Sequence, residues 1–466
     1  MVARDFILNS RGDSKMVFDK VITGNIVLEE TVKKGSIGIK DGVIANISFD
    51  EKLKGATEKN LENELIFPGA IDVHVHCFSN PKEGFEKTTR LAARGGVTTF
   101  LDMPYDLPNP INNADIFKEK SAELEKEALV DIGLWGTMKK RGGTSDLKPM
   151  IEAGAMSFKM STFETDEYRF PEIPNDEIIK AMKVLADTGV LVAFHSEDNE
   201  TVKTMVEEYQ DSNKIYNLAH NETRPPHTET TAVLKLLEYA YWTKAKLHIV
   251  HVSHPRTLDL IKQFRKEGVD VTAETCYPYL LLNTDDLKEY GPACKMNPPV
   301  RTKEDVARMW DHLKEGTIDL ISSDHIRWEE EDKKQGYNNI FKAPSGLPGL
   351  EVIVPLIYDA MVNKHNFSPT DFGKLMATNA AERFQINGKG KIAVDYDADF
   401  VIINPETEWT VSEDSLETNI NLLPFKNRKL CGKVTETIIR GETVFDGKEI
   451  TVKPGYGKFI EGSGVL

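Results

Sequence analysis

The sequence has few cysteines, no long apolar run and no excess of positive charge. The absence of an apolar run long enough to span a bilayer, and of a signal peptide, predicts a soluble, cytoplasmic protein that does not contact membranes. A net charge of -16 argues against general binding to nucleic acid or anionic lipid. The four cysteines form no Cys-x-x-Cys pair, which excludes a disulfide framework and suits a reducing compartment; they are Cys77, Cys276, Cys294 and Cys431.

What the sequence does contain is a long alternation of strands and helices between two β-rich ends. Residues 66–389 alternate apolar strands with helical patterns, which favours a parallel barrel or a doubly wound sheet. No Gly-x-Gly-x-x-Gly follows the first of these strands, which weakens a dinucleotide-binding fold. Within residues 1–65, about the first 15 residues are polar and predict a loose arm, whereas residues 17–48 contain short β-rich runs with turn signals. Similar β-rich runs return within residues 390–466. We therefore predict one large central domain and a small β domain built from both ends of the chain.

The first strand of the central domain ends in two histidines, His74 and His76. Alternate side chains share one face of a strand, so both imidazoles point the same way. Two imidazoles on one face at a strand end supply half of a metal site. A histidine pair on a solvated strand explains the same pattern, so the remaining ligands must come from elsewhere in the chain.

Four further candidate ligands follow apolar strand patterns later in the chain: Lys159, His195, His251 and Asp324. Each has an ordinary explanation when taken alone; Asp324 could cap a helix and Lys159 could be a surface lysine. In a barrel of parallel strands, however, the carboxyl ends of the strands converge on one mouth, where active sites lie. We therefore expect these side chains to meet His74 and His76.

The order His-x-His, Lys, His, His, Asp resembles that of the amidohydrolase superfamily, and within it the cyclic amidohydrolases: allantoinases, dihydroorotases and hydantoinases. The resemblance covers nearly the whole chain and is carried by FPGAIDVHVH around His76, KMNPPVR at 295–301 and KLMATNAAERF at 374–384. It implies an α/β fold, a (β/α)8 TIM-type barrel with a small β-sandwich domain formed by both chain ends.

The same resemblance implies a metal centre and a catalytic residue. It assigns His74, His76 and Asp324 to one divalent metal ion, and His195 and His251 to a second. Lys159, carbamylated by carbon dioxide, would bridge the two ions. Zinc is the first expectation, and manganese, cobalt or iron would also suit these ligands. Asp324 would take a proton from the attacking water and pass it to the leaving nitrogen.

The substrate is the open part of the sequence interpretation. Allantoin is the leading candidate; a hydantoinase, a dihydropyrimidinase or a dihydroorotase-like enzyme acting on another cyclic amide is the alternative. Phe78 stands where dihydroorotases carry a carboxylate-binding arginine, which counts against that enzyme. A non-catalytic scaffold is disfavoured because the full ligand set is present. Residues expected to contact a cyclic ureide are Phe78, Asn297, Ser345, Gly346 and Arg327, the last with Trp328 in a charged loop that could form a lid. By analogy with relatives we expect a dimer or tetramer of identical chains.

Overall fold

The structure is a computed structural model that describes residues 6–8 and 14–464. Parts of the predicted β segments, namely residues 1–5, 9–13, 465 and 466, lie outside the described residues. The chain begins with a short antiparallel pair, β1 (Phe6–Leu8) and β2 (Ser14–Met16), and continues into the two main sheets.

Eight parallel strands form the central barrel. Their neighbours follow the order of the sequence from first to last. A parallel bridge between Val75 and His325 links the first strand to the chain just after the last one. Nearly every residue of these strands is buried, because helices cover the outer face and side chains fill the interior. The strands are β7 (Ala70–Val75), β8 (Val97–Asp102), β9 (Asp131–Gly136), β10 (Ser157–Ser161), β11 (Val192–His195), β12 (Leu247–Ile249), β13 (Val271–Cys276) and β14 (Leu320–Ser322).

Helices connect the barrel strands and extend the loops at their carboxyl ends. None of the helices in the described ranges is both long enough and apolar enough to cross a lipid bilayer. Short π-helical turns at Asp359–Lys364 and Lys374–Thr378 extend the late helices. The α-helices are α1 (Gly84–Gly95), α2 (Ala114–Glu127), α3 (Leu147–Glu152), α4 (Asn175–Thr188), α5 (Asn199–Asp211), α6 (Ala219–Glu222), α7 (Pro226–Thr243), α8 (Pro255–Lys266), α9 (Tyr277–Leu281), α10 (Thr284–Tyr290), α11 (Lys303–Lys314), α12 (Glu330–Lys334), α13 (Ile353–Tyr358), α14 (Pro369–Gly373) and α15 (Asn379–Arg383).

The second sheet combines strands from both ends of the chain, as predicted. Strand β6 is the link between the domains, because it pairs with β15 in this sheet and runs directly into barrel strand β7. Gly69 lies at this junction, where a Cβ would come within 2.2 Å of the Thr98 hydroxyl oxygen. The seven strands, in spatial order, are β17 (Glu442–Phe445), β16 (Lys429–Ile439), β15 (Phe400–Thr410), β6 (Gly55–Pro68), β3 (Phe18–Val27), β4 (Val32–Lys40) and β5 (Val43–Ser48). The fold expected from the sequence, a TIM-type barrel with a β domain from both ends, is confirmed.

A buried ion cluster joins the β domain to the bottom of the barrel. The Lys389 ammonium lies 2.8 Å from Asp131 and 2.5 Å from Asp399. Arg440 donates to the same Asp131 carboxylate at 2.6 Å. Although desolvation by burial lowers the pKa of Lys389, the surrounding carboxylates outweigh it and raise that pKa. Finally, β18 (Phe459–Ile460) leaves the β domain and pairs with β9 on the barrel.

Candidate active site

A cavity of about 430 Å³ opens at the carboxyl ends of the barrel strands. All the metal ligands expected from the sequence lie in its wall, although they are spread over some 250 positions of the chain. These residues are His74, His76, Lys159, His195, His251 and Asp324.

The first group in the cavity consists of His74, His76 and Asp324. The Nε2 atoms of the two histidines lie 3.2 Å and 3.3 Å from Oδ1 of Asp324. His74 turns its Nδ1 atom to the Glu274 carboxylate at 2.8 Å, which fixes the proton on Nδ1 and leaves a lone pair on Nε2. That lone pair faces a carboxylate oxygen, so two acceptors point at each other. A cation between them satisfies both, and the donor set suits a divalent metal ion.

His195 and His251 form the second group. His195 Nδ1 lies 3.0 Å from His251 Nε2, and His195 Nε2 lies 2.7 Å from the Glu197 carboxylate. Glu197 is held in turn by Arg224 at 3.0 Å. Desolvation by burial lowers the pKa of both histidines, which favours the neutral imidazole, the form that can bind a metal ion. The ring centroids of His74 and His251 are 5.5 Å apart, so the two groups belong to one site.

Lys159 is buried in the cavity wall, where its ammonium group forms no hydrogen bond or ion pair with a described residue and lies 6.0 Å from the centre of the Tyr105 ring. Desolvation by burial lowers its pKa to about 8, although Asp324 and Glu274 act in the opposite direction. A depressed pKa makes the neutral amine available, and only that form can react with carbon dioxide. The residues present therefore fit a carbamylated lysine between two cations.

His251 and Asp324 share an unusual backbone conformation. Their φ angles are 39° and 48°, in the left-handed region that residues other than glycine rarely adopt. Each follows the end of a barrel strand, β12 and β14 respectively. Such backbone conformations cluster at functional sites, where the surrounding structure holds them.

Glu274 is a functional residue that the sequence interpretation missed. It lies inside β13 and accepts hydrogen bonds from Ser322 at 2.6 Å, from His74 at 2.8 Å and from His248 at 3.1 Å. Desolvation by burial raises its pKa, but the neighbouring histidines outweigh this and hold the pKa well below the usual range. The available signal was a glutamate within a short strand pattern, Val271–Cys276, because a glutamate buried in a barrel strand requires a partner.

We expect Glu274→Gln to weaken metal binding at the His74 side of the site. A glutamine accepts a weaker hydrogen bond from His74 and lowers the basicity of the imidazole, so metal affinity should fall about 10- to 100-fold. Competition with a metal chelator measures this directly. The control is Glu315→Gln, because Glu315 is an exposed glutamate that directly follows α11 and pairs with Lys262. An unchanged affinity in Glu274→Gln would show that this carboxylate does not support the metal ligand.

Several of the residues predicted to contact substrate line the cavity. Asn297, Ser345 and Gly346 all line it, and the Trp328 indole lines it too and donates to the Ser345 carbonyl at 3.0 Å. The side-chain oxygen of Asn297 is buried and accepts no hydrogen bond from the described residues. It is therefore free to accept an N–H of a ligand.

Phe78 and Arg327, both predicted to contact substrate, are placed outside the cavity wall. The Phe78 ring packs edge-on against Phe85 of α1, with centroids 4.9 Å apart, because the chain turns it into the apolar layer beneath that helix. The Arg327 guanidinium points to Glu329, 3.6 Å away. Neither side chain is brought to the cavity wall in this structure, and their contact with substrate stays a prediction.

The loops after β8 and β10 contribute residues that the sequence interpretation did not single out. Tyr105, Thr165, Arg169 and Phe170 line the same cavity as Asn297 and Ser345. The Tyr105 and Phe170 rings are stacked with centroids 3.5 Å apart. No motif marks these positions, because loop residues reach the cavity only through the course of the loops.

Two buried lysines hold the wall segment 343–346. Lys333 Nζ donates to the carbonyls of Pro344 at 2.8 Å and Gly346 at 2.9 Å, and to that of Pro292 at 3.1 Å. Lys295 Nζ donates to the Ala343 carbonyl at 2.6 Å. Desolvation by burial lowers the pKa of both lysines to about 7. These contacts fix the backbone that the substrate is expected to meet.

We expect Lys333 to make stability depend on pH in the alkaline range. Its folded-state pKa of about 7 lies below the value of 10.5 for a free lysine. Between these values the unfolded chain binds more protons, so the free energy of unfolding rises with pH, by up to about 1.4 kcal/mol per pH unit for one group. Unfolding midpoints at pH 7.5, 8.5 and 9.5 should therefore climb less steeply in Lys333→Met than in the wild type.

The neighbouring Lys334 provides the control for this measurement. It is exposed and pairs only with Glu331 among the described residues. Lys334→Met should keep the slope of the wild type. Equal slopes in all three proteins would contradict the assignment of the pH dependence to Lys333.

Comparison with known proteins places this geometry in a family context. Residues 65–444 match the amidohydrolase family. The chain is 33% identical to an allantoinase of Escherichia coli O1:K1 over 455 residues, covering 96% of this chain and 99% of that protein. An allantoinase of Bacillus licheniformis is 31% identical over 459 residues, covering 96% and 100%. The L-hydantoinase (dihydropyrimidinase) of Arthrobacter aurescens superposes with a TM-score of 0.91 at 28% identity, covering 96% of this chain and all of that one.

Proposed function

The chain belongs to the amidohydrolase family, and on that premise we propose that this cyclic amidohydrolase opens the five-membered ring of allantoin to give allantoate. The observation that carries the proposal is the convergence of the six expected ligand side chains on one cavity at the carboxyl ends of the strands. Full-length similarity to allantoinases supports the choice of substrate.

The residues of the cavity fit a pair of divalent cations, with zinc proposed first. His74, His76 and Asp324 would hold one, His195 and His251 the other, and carbamylated Lys159 would bridge them. When bound, such a pair acidifies a shared water and polarises the ring carbonyl. The buried carboxylates behind the ligands keep the imidazoles oriented before the substrate arrives.

Asp324 is the proposed proton carrier. Its Oδ1 atom lies 3.2 Å from Nε2 of His74 and 3.3 Å from Nε2 of His76, and its other oxygen, Oδ2, is proposed to accept a proton from the attacking water. Desolvation by burial raises the pKa of Asp324, but the neighbouring His74, His76 and Lys159 outweigh it and leave that pKa below its usual value. Water adds its oxygen to the carbonyl carbon, the carbon–nitrogen bond breaks, and Asp324 passes the proton to the leaving nitrogen.

One observation favours a second candidate, the hydrolysis of hydantoins with apolar substituents. The solved structures that resemble this chain include L- and D-hydantoinases with TM-scores of 0.91 and 0.88. The cavity wall also contains apolar side chains, among them Phe170, Ile326 and Phe341. Such side chains would accept an aryl or alkyl group as readily as they would border a polar one.

Ring-opening assays on four compounds separate these candidates. The metal-loaded protein is tested with allantoin, unsubstituted hydantoin, 5-benzylhydantoin and dihydrouracil. We expect the highest kcat/KM for allantoin. A higher kcat/KM for 5-benzylhydantoin would instead support the second candidate, the hydrolysis of substituted hydantoins. The metal content of the purified protein tests the binuclear centre, with two ions per chain as the expected result.

A further inference from the structure

Arg169 is a charged residue in the cavity wall that has no role in the hydrolysis mechanism proposed above. It lies in the turn that follows β10, which is four strands round the barrel from β14, and it lines the cavity together with Asn297 and Ser345. Three backbone hydrogen bonds hold this turn, among them one from Phe170 to the Asp166 carbonyl at 3.0 Å. The Asp166 carboxylate also accepts the backbone N–H of Arg169 at 2.7 Å. The arginine is therefore carried on an ordered turn.

Only one corner of the Arg169 guanidinium is used by the protein. Its Nη1 atom donates to the carbonyls of Ser79 and Tyr105, both at 3.3 Å. Its Nε atom is buried and donates to no described residue, and no described residue accepts from Nη2. Nε and Nη2 form one edge of the guanidinium plane. The N–H groups of this edge are parallel, like the prongs of a fork, and can donate to two oxygen atoms or together to one. Neither atom of that edge has a hydrogen-bond partner among the described residues.

The carboxylates nearest to Arg169 are already engaged. Asp106 lies 2.7 Å from the buried Lys120 ammonium, and Asp166 accepts the backbone N–H groups of Tyr168 and Arg169. No ion pair within 4.0 Å is formed by Arg169 with a described residue. Desolvation by burial lowers its pKa, with Asp166 and Asp106 acting in the opposite direction. A half-buried cation with an open fork is costly unless something else completes it.

We propose that Arg169 determines substrate specificity by binding an oxygen acceptor on the substituent of the substrate ring. This proposal rests on the proposed function and makes it more specific. The ring amide lies over the metal ligands and against Asn297 and Ser345, and its substituent extends to the part of the wall that contains Arg169. There the Nε–Nη2 edge of Arg169 receives the carbonyl oxygen of a ureido group, as in allantoin, or a carboxylate.

The stacked pair Tyr105 and Phe170 keeps the arginine in place. Phe170 follows Arg169 directly and packs on Tyr105, whose carbonyl accepts from the guanidinium. This contact ties the turn after β10 to the loop after β8. Arg169 therefore reaches the cavity in one orientation, as a specificity residue requires, because the selectivity of a fork depends on geometry as well as charge.

The test compares substrates that differ only in the substituent. Allantoin carries a ureido group, hydantoin-5-acetate carries a carboxylate, and hydantoin carries neither. The proteins compared are the metal-loaded wild type, Arg169→Met, Arg169→Lys and Arg141→Met. Arg141 is an exposed arginine outside the cavity wall that pairs with Asp176, and it controls for the loss of one positive charge.

We expect Arg169→Met to lower kcat/KM at least about 30-fold for the better of the two substituted rings, which corresponds to the loss of a charge-assisted hydrogen bond. For hydantoin the change should stay within about twofold, and this intact turnover shows that the variant is folded. Arg169→Lys keeps the charge but not the fork, and should recover less than a tenth of the loss. The ratio of the two substituted rings in the wild type identifies whether the ureido group or the carboxylate is read.

The failure of this proposal is distinguishable from that of the proposed function. Equal losses on hydantoin and on the substituted rings, or full activity in Arg169→Lys, would overturn the role of the fork. If the wild type opens none of these rings, the proposed function fails, and calorimetric binding then decides the role of Arg169. Hydantoin-5-acetate or allantoin should bind the wild type at least tenfold more tightly than hydantoin does, and that preference should vanish in Arg169→Met. Equal affinities in the wild type would overturn the proposal.

Discussion

Replacing Asp324 by asparagine should lower kcat/KM for ring opening by about 10³- to 10⁴-fold, in the upper part of the range of about 10²- to 10⁴-fold for loss of a general acid–base residue. The amide cannot accept the proton of the attacking water, and it removes the negative charge that lies 3.2 Å and 3.3 Å from the two histidines. Metal content should fall in parallel at that side of the site. Steady-state kinetics and metal analysis on the same preparation measure both effects.

The control for Asp324→Asn is Asp395→Asn. Asp395 is an exposed aspartate that also has a left-handed backbone, with φ of 69° against 48° for Asp324. Asparagine tolerates the left-handed conformation at both positions, so any effect of the substitution through backbone conformation should be the same in both variants. Activity within a factor of ten of the wild type in Asp324→Asn would rule out the proposed proton transfer.

Replacing Lys159 by methionine should reduce activity by a similar factor, about 10³-fold or more, with loss of at least one of the two metal ions. Methionine fills most of the buried space of the lysine stem but cannot form a carbamate. Wild-type protein stripped of metal should require bicarbonate as well as metal to recover. Carbon-13 nuclear magnetic resonance with labelled bicarbonate should show a carbamate signal in the wild type and none in the variant.

Lys120→Met provides a comparison for Lys159→Met at another buried lysine. Lys120 pairs with Asp102 and Asp106 outside the cavity wall, so its loss should destabilise the fold without removing the carbamate signal. A carbamate signal that persists in Lys159→Met would assign the modification to another amine. Retention of both metal ions in that variant would contradict the bridging role of Lys159.

The meeting of the six proposed ligand side chains at one cavity could be predicted from the sequence, because residues at the ends of parallel barrel strands lie at the same mouth. His74, His195 and Asp324 each follow an apolar run, and parallel strands in a barrel bring such positions to one mouth. The resemblance to cyclic amidohydrolases then supplied the role of Lys159, which an apolar strand pattern alone does not distinguish from a surface lysine. The strand–helix alternation over the central residues left a parallel barrel and a doubly wound sheet open, and the family resemblance decided for the barrel.

The substrate wall could not be predicted in the same way. Arg169 lies ten residues after Lys159, and its place in the cavity depends on a turn closed by hydrogen bonds between Asp166 and Phe170. Phe78, by contrast, follows a strand end closely and was expected in the cavity, but packing against α1 turned it away. The positions of loop side chains depend on local turns and packing, and neither produces a periodic pattern in the sequence.

The pairing of β6 with β15 has a consequence for how the chain is made on the ribosome. Residues 65–68 of β6 pair with residues 400–403 of β15, which are synthesised roughly 330 residues later. Until then these residues of β6 have no partner on that edge. At 5–20 residues per second this delay amounts to roughly 15 to 70 s, during which one edge of the early sheet has no neighbour. Exposed strand edges recruit other chains, so nascent molecules stalled within the barrel region should aggregate unless a chaperone shields that edge.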